Sequence, residues 1–221
     1  YVSWYSAFHW RKPELLLLAG RYAVSAGECL VFGRNTGYAA VSPYWYESKN
    51  RDRPVQPDMS ADENSGLNGV ALSIQRSPVT ILVMYHNALL DASLEEGQIR
   101  SFPNSGMHRT SGEREDKDTA RQQLYGAMVR YQPADRFSLT WAAYHNRIDP
   151  AVVRQQRSDN LFSFQGRKNS AMGWSWDLYQ PFGNLFGEVA LSDSSWAGTI
   201  GLWHGLQQWQ WITTLYYAPA S

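Results

Sequence analysis

At 221 residues the chain is long enough for one large domain and too short for two comfortable ones. Lys plus Arg and Asp plus Glu each number 20, so the formal net charge is zero and bulk electrostatics give no reason to expect a nucleic-acid partner. No apolar run reaches the roughly 18 residues of a membrane-spanning helix, which leaves strands of about 10 residues as the only spanning element open to it. Aromatic residues make up 14%, with 10 Trp and 13 Tyr against 8 Phe. The excess lies in aromatics with a polar atom, which favour bilayer interfaces and sugar-binding clefts. A mean hydropathy of -0.45 suits a soluble protein and equally a barrel with a polar lumen. Cys29 is the single cysteine, so an intrachain disulfide is excluded.

The first strand is predicted over residues 2–10, with Trp4, Phe8 and Trp10 sharing one face, and Arg11 to Glu14 make a polar turn. Residues 15–34 read as one long β-type stretch interrupted at Gly20, Gly27 and Gly33. Leu15 to Leu18 are apolar on both faces, so a strand there needs cover on both sides, with lipid outside and an internal segment inside as one solution. Cys29 reads as a small buried hydrophobe within this stretch. Regularity fades over residues 35–67, a loop with a short strand expected near Tyr44 to Tyr46. A hairpin follows, with strands over 70–76 and 79–86 and a turn at Ser77-Pro78.

Residues 87–121 form the longest irregular stretch, and its charged run Glu113 to Asp118 reads as solvated surface. A second hairpin spans 124–132 and 137–146, turning at Pro133-Ala134-Asp135. Further strands are predicted over 161–165, 171–180, 184–192, 198–207 and 208–217. About nine or ten strands joined as sequence neighbours make an antiparallel up-and-down meander, with no convincing helical spacing.

Candidate chemistry is sparse. His86 and His145 each sit in a Tyr-His-Asn triplet, and repeated hairpin architecture explains that coincidence more cheaply than a metal or catalytic pair. Asp62, Glu63 and Glu188 would serve as a glycosidase pair only if folding brought them together. No metal, nucleotide or nucleophile-elbow motif supports an enzyme, and no catalytic, cofactor or metal residue is assigned. Trp174/Trp176 and Trp209/Trp211 are spaced i, i+2, so each pair leaves one side of a strand. With Trp141 they are candidate membrane-interface residues, because the aromatics are spread over nearly every strand. In a soluble lectin-like sandwich the same pairs would stack on sugar rings.

Three segments resemble a known family: Gly20 to Arg34 with Gly27 and Gly33, Pro57 to Ala71 with Asp62-Glu63-Asn64, and Asn184 to Ser192 with Phe186-Gly187-Glu188, followed by Leu215 to Pro219. They are similar to the β-barrel region of bacterial outer-membrane proteins, of Bacteroidetes and Chlorobi type, that carry helix-hairpin-helix modules upstream. Cys29 stands where that family usually has Gly, and Tyr217 where it often has Arg. The resemblance implies an outer-membrane β-barrel of uncharacterised function, linked to DNA uptake through modules not in this chain, and it supplies no catalytic residues.

The expectation is therefore an all-β, antiparallel, outer-membrane-type β-barrel occupying residues 1–221 as a single domain. The opening on Tyr1 is read as an incomplete piece, so missing targeting signals carry no weight. Its partner is the lipid bilayer, with no direct nucleic-acid binding and no cofactor. Ser138, Thr140, Gln208 and Gln210 should face inward, and Trp141, Trp174, Trp209 and Trp211 outward. A soluble carbohydrate-binding β-sandwich and an outer-membrane hydrolase are the alternatives.

Overall fold

The structure is a computed structural model that describes residues 4–11, 14–33, 54–58, 66–102, 110–153, 164–193, 195–206 and 209–218. Its strands belong to one sheet, and ten of them form the path β1 (Tyr5–Arg11), β2 (Glu14–Ala23), β4 (Leu67–Arg76), β5 (Val79–Leu90), β8 (Ala120–Ala134), β9 (Phe137–Val152), β10 (Gly166–Gln180), β11 (Gly183–Ser192), β12 (Trp196–Leu206) and β13 (Trp209–Tyr217). Every step along this path is antiparallel. The expected meander is there, the first hairpin turns at Ser77-Pro78 as predicted, and the second turns at Asp135-Arg136 because β8 runs on through Pro133 and Ala134. Off the path, β3 (Gln56–Pro57) pairs with β2, and the hairpin β6 (Ser93–Glu95) and β7 (Gln98–Ser101) leans on β9. Among the described residues β1 and β13 do not pair, so the sheet is open and not closed into a barrel.

Three expectations change. The stretch predicted over 15–34 is not one strand: β2 ends at Ala23, and residues 24–33 leave the sheet as a strap. The irregular stretch 87–121 holds β6, β7 and one turn of helix, α1 (Ser111–Glu115). That helix forms because Thr110 and Glu113 make a reciprocal capping box, each side chain bonding the other's backbone N–H. Third, β10 starts at Gly166, so the strand expected over 161–165 is not formed at residues 164 and 165. Tyr44 to Tyr46 and residues 161–163 lie outside the described residues.

The connections are unequal at the two ends. The turns β1–β2, β4–β5, β8–β9, β10–β11 and β12–β13 are all tight and lie at one end, whereas of the four links at the other end β2–β4, β5–β8 and β9–β10 are long and β11–β12 is short. At the long-link end Ala92, Ile99, Ala120, Ile148 and Val152 build a small core of their own. The main core lies against one face of the sheet, where Leu18, Tyr22, Ala71, Leu82, Met84, Leu124, Met128 and Ala142 pack with Val24, Ala26, Val31 and Phe32 of the strap. That face is called inner here.

Candidate functional site

Period two gives each strand two sets of side chains, and the register aligns those sets into rows across the sheet. One inner row reads Arg11, Glu14, Gln75, Thr80, Arg130, Thr140, Ser175, Glu188, Thr199, Tyr216, and every member is polar. Thr140, Ser175, Glu188 and Thr199 of this row are buried. One residue along each strand, the outer row reads Trp10, Leu15, Ile74, Ile81, Val129, Trp141, Trp174, Val189, Gly198, Tyr217, and no member carries a charge. None of its residues is buried, and five are exposed, among them Ile81 at 43%, Trp174 at 42% and Tyr217 at 55%. The next outer row, Phe8, Leu17, Leu72, Val83, Ala127, Ala143, Met172, Leu191, Trp196, is apolar throughout as well. Ten strands at about 4.8 Å make the apolar belt about 43 Å wide.

The inner face is a trough of small residues that receives the strap. Phe32 lies over Gly126 of β8, with its ring centroid 5.7 Å from that of Tyr144 in β9. A Cβ on Gly173 of β10 would come 2.8 Å from Val31, too close for any side chain there. The strap closes on itself through Ala26 N–H to the Phe32 carbonyl at 3.0 Å and Cys29 N–H to the Ala26 carbonyl at 3.2 Å.

Glu188 of β11 fastens it. The backbone N–H of Glu28 donates to Glu188 Oε2 at 2.7 Å, that of Leu30 to Oε2 at 3.2 Å and that of Val31 to Oε1 at 3.2 Å. Three donors in one turn converge on one carboxylate that is 2% accessible. Bonds of this charge-assisted kind are about twice as strong as neutral ones. The turn must come this close, and Gly27 allows it: its φ is +56°, and a Cβ there would lie 2.9 Å from Glu188 Oε2 and on the Ser175 side chain. Cys29, at φ +67°, also holds the left-handed region, where glycine pays no steric cost. It is half-buried in a turn, so its placement as a buried residue of a strand is corrected.

A second set of contacts holds the foot of the strap. Arg21 and Asp58 form a buried pair at 3.6 Å, and Asp58 N–H donates to the Arg21 carbonyl at 3.1 Å. The Tyr22 hydroxyl donates to the Tyr85 carbonyl at 2.9 Å. Between strap and sheet lies a cavity of about 330 Å³, lined by Val24, Val31, Phe32, Gln122, Tyr144 and Asn146 among others.

The candidate residues sort as follows. Gly27 and Glu188 are brought together at the strap, although about 160 residues separate them. Phe186 is fully buried, and Gly187 packs on the opposite face against the Trp176 indole. Gly33 is exposed beside Cys29. Asp62, Glu63 and Asn64 lie outside the described residues, as do Gln208 and the side chains of Trp209 and Gln210. Trp141 and Trp174 are register partners in the middle of the outer belt, Trp176 is half-buried one row away, and Trp211 is 70% accessible on β13. Thr140 faces inward, as expected, and Ser138 lies on the same face.

The two histidines are not equivalent. His86 is buried on the inner face, where its Nδ1 accepts from Asn68 N–H at 2.6 Å. His145 is exposed on the outer face with Nδ1 2.9 Å from Ser170 Oγ. Strand parity separates them, and among the described residues no three His, Cys, Asp or Glu side chains gather as a metal site. The strap was missed in the sequence because its Val24, Val31 and Phe32 continue the β-type composition of β2. The change at Gly27 and Cys29 is the only local signal of its departure. Comparison with family models, with curated proteins and with solved structures returns no match to this chain.

Proposed function

We propose that this chain forms part of the wall of an outer-membrane β-barrel whose lumen is occupied by its own strap, in a structural or transport-associated and non-enzymatic role. The observation that carries the reading is the pair of adjacent rows: ten polar positions on the face that receives the strap, four of them buried, and ten uncharged, almost entirely apolar positions on the opposite face, none of them buried. A soluble sandwich would put these outer rows in water, where a solvated face is expected to carry charge. A belt about 43 Å wide and about 14 Å high approaches 600 Å², at or beyond what soluble monomers expose, whereas a bilayer covers it at no cost. Five short turns at one end and three long connections out of four at the other resemble the periplasmic and extracellular ends of such barrels. The sheet edges must be closed in lipid, and β1 and the tenth strand of the path run in opposite directions, as an antiparallel closure needs.

The test is the full-length protein in detergent. Unheated samples should migrate differently from boiled ones on electrophoresis, and the protein should partition with outer membranes. A monodisperse product in plain buffer, with no detergent, would overturn the reading.

A further inference from the structure

Above the apolar belt, on the long-connection side, the outer face changes within two rows. The first row holds Tyr85, Tyr125, His145 and Ser170 as register neighbours, with the two tyrosine rings 5.0 Å apart. The next holds Asn87, Gln123, Arg147 and Lys168. Arg147 and Lys168 are exposed and directly opposite each other on β9 and β10, so their Cβ atoms stand about 5 Å apart. Like charges in that position destabilise a sheet unless something neutralises them.

Among the described residues, the nearby acidic groups Asp149 and Asp193 have partners of their own. Asp149 pairs with Arg167 at 3.6 Å, and Asp193 Oδ2 accepts from Ser170 N–H at 2.8 Å. Arg121 Nε donates to Asn87 Oδ1 at 2.9 Å, and Gln123 Nε2 to the Tyr85 hydroxyl at 3.4 Å, which orders the β5–β8 side of the pair.

We propose that Arg147 and Lys168 bind the phosphate of an anionic lipid headgroup in the leaflet on the long-connection side. This rests on the bilayer reading above. A phosphate between the two cations takes a forked pair of N–H bonds from the guanidinium and a point charge from the ammonium. Its acyl chains then run down over Tyr85 and Tyr125 onto Val83, Ala127, Ala143 and Met172, the row that begins the belt. That continuity is why a lipid, and not a free anion, is the ligand.

The experiment uses the full-length protein in nanodiscs of zwitterionic lipid, titrated with a fluorescent diphosphorylated acyl-glucosamine lipid. Wild type should bind it and ignore the dephosphorylated lipid. The double substitution Arg147→Gln with Lys168→Gln should weaken binding on the order of 30-fold, from about a factor of five per cation. Arg76→Gln, at the opposite lip of the belt, should leave binding unchanged. Equal binding by the double variant, equal binding of the dephosphorylated lipid, or equally effective competition by inorganic phosphate alone would each overturn the proposal. The heat-dependent mobility shift is read on the same samples: a shift without lipid binding sinks only the phosphate site, whereas absence of the shift sinks the barrel reading itself.

Discussion

The two faces of one strand, β11, differ more than most pairs of separate proteins. Its inner positions Asn184, Phe186, Glu188 and Ala190 are all buried, two of them polar, and its outer positions Val189 and Leu191 are apolar and exposed. In a water-soluble sheet the solvated face carries the charge. Here the face that the chain itself shields holds both polar groups and the main apolar core, and the belt of the other face is apolar where nothing among the described residues covers it. The inner face is specific, since a strap docks on it by hydrogen bonds of fixed geometry. The outer belt is generic: its two rows share no pattern except the absence of charge.

Removing the inner anchor should have the largest effect. Glu188→Ala leaves the N–H groups of Glu28, Leu30 and Val31 without their acceptor beneath a packed strap, at a cost of about 4 kcal/mol at 1–3 kcal/mol per buried unsatisfied group. Limited proteolysis should then cut within residues 24–33, and single-channel recordings should show added conductance; unchanged cleavage and conductance would mean the strap is held some other way.

On the outer face, Ile81→Arg should cost about 3 kcal/mol in lipid, within the range for a cation at bilayer midplane. Refolding yield into vesicles reads it, and a neutral outcome would say that this face meets water. Gly126→Leu tests the trough: a Cβ already comes 2.9 Å from Phe32 Cζ, so about 2 kcal/mol of overpacking should appear in urea-dependent unfolding. The smallest change is expected of Cys29→Gly, which relieves a left-handed φ while adding chain entropy, for a net gain under about 1 kcal/mol. A loss of stability would show that the thiol makes a contact worth more than the strain.

Much of the sheet was legible from particular residues. Ser77-Pro78 and Pro181-Phe182-Gly183 punctuate alternating runs, so the hairpins β4–β5 and β10–β11 follow from local chemistry alone. Strand ends were less so: β9 continues past Asn146 to Val152 because Ile148 and Val152 pack with Ile99 and Ala120, which are remote in sequence. The repeated Tyr-His-Asn triplet suggested equivalent histidines. The register instead puts Tyr85 level with His145, one position out of phase, and a slip of one residue moves a side chain to the other face.

The sequence by itself determined that this chain is a meander of two-faced strands, since period two and turn residues are local properties that no distant contact can undo. It also determined which residues share a face over most of each strand, because parity runs unbroken except at the irregularities near Tyr131 to Ala134 in β8 and Gly166 to Lys168 in β10. Only the tertiary structure decided which face is shielded, since alternation is symmetric and one docked segment breaks the symmetry. That segment is the strap, and the contact that places it joins Glu28 to Glu188 across 160 residues, a pairing that strand periodicity does not encode.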